Sequence, residues 1–202
     1  DLKKFFELQL NAMNNQPNPS LIATTNQLQG NGLHLVWKNI EDTALFAHQL
    51  SKNEFIQDLY INLLGDLGSG KTTFVRHLLQ NFGFTGRVKS PTYTIVETYD
   101  LVIANQGTSS DTTFTLSHFD FYRFQDENEW EEAGFRDIFA NPGLQLVEWP
   151  EKAQTLLPKA DLEIHIVAQE DESRNVVLKS ISNKGMAVLK ALALLYPPLT
   201  SI

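Results

Sequence analysis

One stretch constrains this chain more than any other: Gly65-Asp66-Leu67-Gly68-Ser69-Gly70-Lys71-Thr72. Before it runs Asp58-Leu59-Tyr60-Ile61-Asn62-Leu63-Leu64, an apolar segment of the kind a buried parallel strand shows. After it a helical pattern continues to about Phe82 and stops at Gly83. Strand, Gly-x4-Gly-Lys-Thr, helix is the pattern of a phosphate-binding loop, or P-loop. Its residue types follow from its task. Gly65, Gly68 and Gly70 let the backbone turn so that successive N–H groups face phosphate oxygens. Lys71 supplies a point charge for the outer phosphates. The Thr72 hydroxyl suits Mg²⁺, and the helix starting there adds its N-terminal dipole.

The remaining patterns predict an α/β fold: a single P-loop NTPase domain with a mixed, mainly parallel sheet flanked by helices. Residues 33–37 read as a first strand and 41–52 as a helix. Residues 93–103 and 112–121 read as a hairpin with a long polar loop. Asp126-Glu127-Asn128-Glu129 resembles a capping box that opens a short helix. Leu144–Trp149 is another buried-type strand, with Pro150 starting a helix. Residues 161–168 and 174–181 suggest two antiparallel strands, and 184–195 a last helix. Ahead of this domain, assigned to residues 33–202, residues 1–32 read as an extension. It comprises a short amphipathic helix over 1–13 and a linker rich in Asn, Gln, Pro and Gly.

Composition narrows the chemistry. The 202 residues contain no cysteine, which removes disulfides and thiolate metal or redox sites. No apolar run approaches a bilayer span. The start, Asp1-Leu2-Lys3-Lys4-Phe5-Phe6, lacks a signal-peptide pattern and, having no initiator Met, reads as trimmed. The expected compartment is the cytoplasm, with no membrane partner. A net charge of −8 opposes indiscriminate nucleic-acid binding. Yet no Asp or Glu falls between Leu67 and Val96, while Lys71, Arg76, Arg87 and Lys89 do. That segment reads as a positive lip around a polyphosphate, or as a solvated helix face.

A P-loop needs a carboxylate to complete its metal site. Glu148 stands at the carboxyl end of an apolar strand, the edge where open α/β sheets bind ligands. Asp120 also ends a strand, but side-chain parity is hard to read near His118. His118 reads as a polar residue beneath the site. Trp149 reads as core or partner contact rather than a nucleotide stacker. The hydroxyl-rich Ser90-Pro91-Thr92-Tyr93-Thr94 stands where a γ-phosphate sensor belongs, which makes Ser90 and Thr92 switch candidates.

Together these blocks resemble a known family, the bacterial tRNA threonylcarbamoyladenosine biosynthesis ATPase TsaE (YjeE). The resemblance rests on Gly65–Thr73, Val88–Thr94, His118-Phe119-Asp120-Phe121-Tyr122-Arg123, Gly134-Phe135-Arg136-Asp137 and Leu146-Val147-Glu148-Trp149-Pro150, in the family's order and spacing. It covers roughly residues 35–185. It implies a weak ATPase acting with the TsaB–TsaD heterodimer, which transfers threonylcarbamoyl to adenosine 37 of tRNA. ATP turnover would reset that complex between rounds, and tRNA would be met only through it. By the same resemblance, Gly65, Gly68, Ser69, Gly70, Lys71, Thr72 and Thr73 would hold ATP, and Thr72 and Glu148 would hold Mg²⁺. Lys71 and Asp120 would serve catalysis, and the helix start at Ile40–Thr43 would lie near the adenine. His118, Tyr122, Arg123 and Trp149 would support the site from behind or face a partner. Residues 1–32 and the loop near 104–112 depart from the family's usual pattern.

Rival readings are weaker. A GTPase lacks support, because no Asp-x-x-Gly occurs and Asn183-Lys184-Gly185-Met186 lacks the carboxylate of a guanine reader. A small-molecule kinase would want clustered lid arginines, and the five arginines at 76, 87, 123, 136 and 174 are scattered in sequence. A nucleotide-gated binding module, in which ATP orders Ser90–Thr94 for docking, overlaps the family reading.

Overall fold

The computed structural model describes residues 30–103, 112–125 and 127–196. Its centre is a seven-stranded sheet. The strands are β1 (Gly32–Trp37), β2 (Tyr60–Leu64), β3 (Val96–Ile103), β4 (Thr112–Asp120), β5 (Leu144–Glu148), β6 (Leu162–Ala168) and β7 (Arg174–Ser180), in spatial order β1-β7-β6-β2-β5-β4-β3. Strands β6, β2, β5 and β4 are mutually parallel. The edges are antiparallel, β1 on β7 and β7 on β6 at one side, β3 on β4 at the other. The mixed sheet, the hairpin at 96–120 and the pair β6–β7 agree with the sequence patterns. Helices are α1 (Ile40–Ser51), α2 (Lys71–Asn81), α3 (Glu127–Glu132), α4 (Phe135–Ala140) and α5 (Asn183–Leu195). No helix among the described residues is long and apolar enough to cross a membrane.

Local chemistry sets the element ends. The Asn39 side chain accepts from the Asp42 N–H at 3.0 Å, and Asp42 Oδ2 accepts from the Lys38 N–H at 2.8 Å. This reciprocal cap starts α1. Ser182 Oγ accepts from the Gly185 N–H at 3.0 Å and starts α5. Three boundaries differ from the sequence reading. β2 begins at Tyr60 because residues 56–58 close a 3₁₀ turn. β3 begins at Val96, since the Ile95 N–H donates to the Pro91 carbonyl and curls residues 91–95 into a turn. Pro150 opens only a single 3₁₀ turn, Pro150–Lys152, before Ala153 leaves helical geometry. The linker reading also gives way at its end: Asn31 bonds Ser180 and Gly32 is already in β1. The predicted helix at 1–13, the linker up to 29, the polar hairpin loop and Asp126 of the capping box lie outside the described residues.

Each face of the sheet has its own core. One is mainly aliphatic, with Leu63, Leu78, Leu116, Leu146 and Ile164 all fully buried and a Trp37–Phe46–Phe74 ring cluster. The other is mainly aromatic, built on Phe119, Phe121, Trp130 and Phe135. Alternation along β4 and β5 assigns the faces: Leu116, His118 and Asp120 share the aliphatic side with Leu144, Leu146 and Glu148, while Phe119 and Val147 point to the other.

Candidate functional site

The loop between β2 and α2 sits at the carboxyl end of the parallel strands, in the middle of the sheet. Gly65 and Gly70 adopt φ of 140° and 113°, where a side chain is strained. A Cβ on Gly65 would also lie 2.2 Å from the Ile166 carbonyl of β6. The loop is braced internally, the Ser69 N–H donating to the Asp66 carbonyl at 3.1 Å. The Ser69 hydroxyl is buried and has no hydrogen-bond partner among the described residues.

Lys71 is buried at the loop's base. Its ammonium donates to the Gly65 carbonyl at 2.6 Å and the Asp66 carbonyl at 3.0 Å, and lies 4.3 Å from the Trp149 ring. Burial pushes its pKa down, against the pull of Glu148 and Asp120. Thr72, one residue into α2, donates its hydroxyl to Glu148 Oε1 at 2.7 Å. The same oxygen lies 2.9 Å from His118 Nε2, which donates because a carboxylate accepts. His118 is wholly buried. Asp120 is next to Glu148 in register. Its Oδ2 accepts from the Thr92 hydroxyl at 2.7 Å and from the Ser90 hydroxyl, and its Oδ1 accepts from the Tyr122 N–H at 2.9 Å.

Lys71, Thr72, Glu148, Asp120, Ser90 and Thr92 line a cavity of about 400 Å³, together with Thr73, Gly68, Tyr122 and Arg123, while His118 lies behind its wall. The structure thus gathers the residues the sequence singled out for phosphate, metal and switch roles around one cavity, except that Gly65 and Ser69 belong to the loop without lining it. Trp149, read from sequence as core or partner contact, is half-buried against the aromatic core, and its ring also lies over Lys71 and tilts against Tyr122 at 4.9 Å. Arg123 stacks on Tyr93, which is 82% exposed. The positive lip is thinner than the sequence suggests: Lys71 turns inward and Arg76 donates to the Val88 carbonyl at 3.4 Å, leaving Arg87 and Lys89 exposed. The start of α1 does not line this cavity; Asp42 and Thr43 are buried in the cap and against the core.

Three non-glycine residues among those described have left-handed φ: Ile95, Trp149 and Glu172. All three adjoin this region, following the Ser90–Thr94 loop, following Glu148, and preceding Arg174. Such backbone outliers gather at functional sites. The sequence reading missed Arg174, whose Nε donates to the Ser69 carbonyl at 3.3 Å. No local motif announces it.

The donor set suits the groups a P-loop implies. Glycines keep the loop's backbone N–H groups unobstructed. A hydroxyl and a carboxylate meeting at 2.7 Å offer hard oxygen ligands of the type Mg²⁺ takes alongside phosphate.

Comparison with known proteins shows the family. Residues 37–176 match the family described as "Threonylcarbamoyl adenosine biosynthesis protein TsaE". The chain belongs to the TsaE family. It is 41% identical over 146 residues to the tRNA threonylcarbamoyladenosine biosynthesis protein TsaE of Haemophilus influenzae, covering 72% of this chain and 85% of that protein. The Bacillus subtilis protein of the same name is 35% identical over 124 residues, covering 61% and 71%. The crystal structure of Bacillus subtilis YdiB superposes with a TM-score of 0.61 at 27% identity, covering 82% of this chain and 97% of that one. Family membership and fold therefore agree on a P-loop nucleotide-binding architecture, and the family's match spans every site residue from Gly65 to Trp149.

Proposed function

We propose that this protein is a Mg²⁺-dependent ATPase that supports formation of N6-threonylcarbamoyladenosine in tRNA. It works in the cytoplasm with the TsaB–TsaD heterodimer, allowing that complex repeated turnovers, and meets tRNA only through it. Residues 33–202, joined by Asn31 and Gly32 through β1, form the ATPase unit, and the residues before them an extension to it. The carrying observation is the 2.7 Å contact of Thr72 with Glu148 beside the glycine loop. Helix-start hydroxyl and strand-end carboxylate are the protein oxygens that a nucleotide-bound metal needs. The names of the relatives, which specify threonylcarbamoyladenosine biosynthesis, support the tRNA side of the reading.

In this assignment Gly65, Gly68, Ser69, Gly70, Lys71, Thr72 and Thr73 hold the phosphates, and Thr72 and Glu148 hold Mg²⁺. Bound there, the metal would neutralise charge on the phosphate oxygens. Lys71 leaves the Gly65 and Asp66 carbonyls to place its charge on the outer phosphates. His118 keeps the Glu148 carboxylate in one orientation by donating to it. Asp120, steered by the Ser90 and Thr92 hydroxyls, orients a water or accepts its proton. Trp149 covers Lys71 and keeps bulk water from that side.

Reconstitution tests the proposal. The protein is combined with TsaB, TsaD, threonylcarbamoyl-AMP synthase, tRNA, threonine, bicarbonate and ATP, and modified adenosines per TsaD are counted by nucleoside mass spectrometry. Multiple turnovers with the parent, and a halt near one with Lys71→Ala or Glu148→Ala, are expected. No gain over omission of the protein would remove the tRNA role. A phosphorylated small acceptor would point to a kinase instead. Nucleotide-gated docking is a second reading, favoured by exposed Tyr93 beside the hydroxyls that bond Asp120. It gains if Asp120→Ala stops hydrolysis yet leaves partner binding and modification intact.

A further inference from the structure

Arg174 opens β7 at the end of the sheet that carries the loop. It is in register with Ala168 across the β6–β7 hairpin and with Trp37 on β1. The turn before it is tightly fixed. Both the N–H and the hydroxyl of Ser173 donate to Asp171 Oδ1, at 3.1 and 2.6 Å, and the Gln169 N–H donates to the Ser173 carbonyl at 2.9 Å. From this platform Arg174 Nη1 donates to the Glu172 carbonyl, while Nε reaches the Ser69 carbonyl at 3.3 Å. One bond ties the guanidinium to its own hairpin; the other crosses to a loop 105 residues earlier.

The Ser69 carbonyl belongs to the same peptide unit as the Gly70 N–H. A trans peptide is planar, so its C=O and N–H point in opposite directions, and none of the described peptides is cis. A donor fixed on the Ser69 oxygen therefore sets where the Gly70 N–H points, namely away from the guanidinium. A cation at that oxygen also polarises the peptide and strengthens the N–H as a donor. Gly70 has no side chain to restrain this plane. The hairpin meets the loop's other end too, where the Ile166 carbonyl occupies the space beside Gly65.

We infer that Arg174 is a positioning residue for the phosphate loop: through the Ser69 carbonyl it aims the Gly70 N–H at the polyphosphate and raises nucleotide affinity. This rests on the ATP reading above. It gives the scattered fifth arginine a task that differs from a kinase lid, because the residue acts on the loop from behind.

The test uses the full chain with a fluorescent ADP analogue for affinity and steady-state ATP hydrolysis for KM and kcat. Arg174→Ala is expected to raise the analogue's Kd and the KM for ATP about tenfold, with kcat within about twofold. Arg174→Lys keeps the charge and one donor but loses the second anchor, so its Kd falls between parent and Ala. Asp171→Ala, which loosens the turn without touching the guanidinium, shifts KM in the same direction by less and covers the case of an Ala variant that does not fold. Unchanged Kd and KM in a folded Arg174→Ala overturn the inference. So does a drop in kcat at constant KM, which would mean that Arg174 acts on the reaction itself. A parent chain that binds no analogue overturns the nucleotide reading, and this inference with it. A parent that binds, beside an Arg174→Ala that binds equally, overturns the inference alone.

Discussion

The two faces of the sheet are filled with different materials. Beneath α1, α2 and α5 the filling is mostly Leu, Ile and Val, and its rows on β4 and β5 give way to polar groups at the carboxyl end: Leu116 is followed on its face by His118 and Asp120, and Leu146 by Glu148. On the opposite face the order is reversed: the buried polar Ser117 and Gln145 come first, and the rows end apolar with Phe119 and Val147. Phe119 and Phe121 stack at 5.6 Å, and Phe119 also lies 4.7 Å from Phe139. The contrast separates two tasks that one residue type cannot perform together. The face that meets the loop gives its last positions to the polar groups that line the candidate site. The face behind it supplies the rigidity that those positions lose, since rings are large, stiff and densely packed. Asp120 is thus flanked in sequence by two anchored phenylalanines, and Glu148 follows a fully buried Val147.

If this division is right, equal damage to the two cores has unequal effects on the site. Phe119→Ala should cost about 3–5 kcal/mol of stability, read by urea unfolding, and should also lower kcat in the folded protein. Leu189→Ala on the aliphatic side, buried between α5 and the sheet, should cost about 2–5 kcal/mol and leave kcat near the parent value. Similar losses of kcat from both would erase the distinction. Next in size, Asp120→Asn should lower kcat roughly 10²-fold while the unfolding midpoint barely moves, because that position belongs to chemistry and not to the core. A large loss of stability would instead make Asp120 a structural clasp for Ser90 and Thr92. The smallest effect is expected from Ser182→Ala, which removes the cap of α5 at the far end of the sheet. About 1 kcal/mol should be lost in thermal unfolding, with KM for ATP unaltered.

Much of this was legible in the chain itself. The loop announces itself because its glycines, lysine and threonine sit between an apolar run and a helical one. Glu148 was readable as one of two carboxylates at strand ends, the one that closes the short run Leu144-Gln145-Leu146-Val147. The facing of Asp120 was not, because β4 is buried on both sides, so its alternation shows no polar–apolar contrast; Ser117 is buried too, on the aromatic face. Trp149 was legible as a packed side chain beside the site, but its contact with Lys71 was not, because a left-handed φ of 56° turns the chain just past β5 and swings the ring over the ammonium. Arg174 had no signal at all. Its bond to Ser69 exists only once the β6–β7 hairpin lies beside β2, and sequence spacing carries no trace of that.

The order of strands has a consequence for how the protein is made. β2 and its loop emerge early, yet both neighbours of β2 lie far downstream, β5 beginning at Leu144 and β6 at Leu162. Parallel pairing over such distances is reached late, after long loops have closed. A nascent chain on the ribosome therefore displays its glycine loop long before anything holds it. The loop's contacts with Ile166 and Arg174 wait until the β6–β7 hairpin lies beside β2, and so until synthesis has passed Ser180.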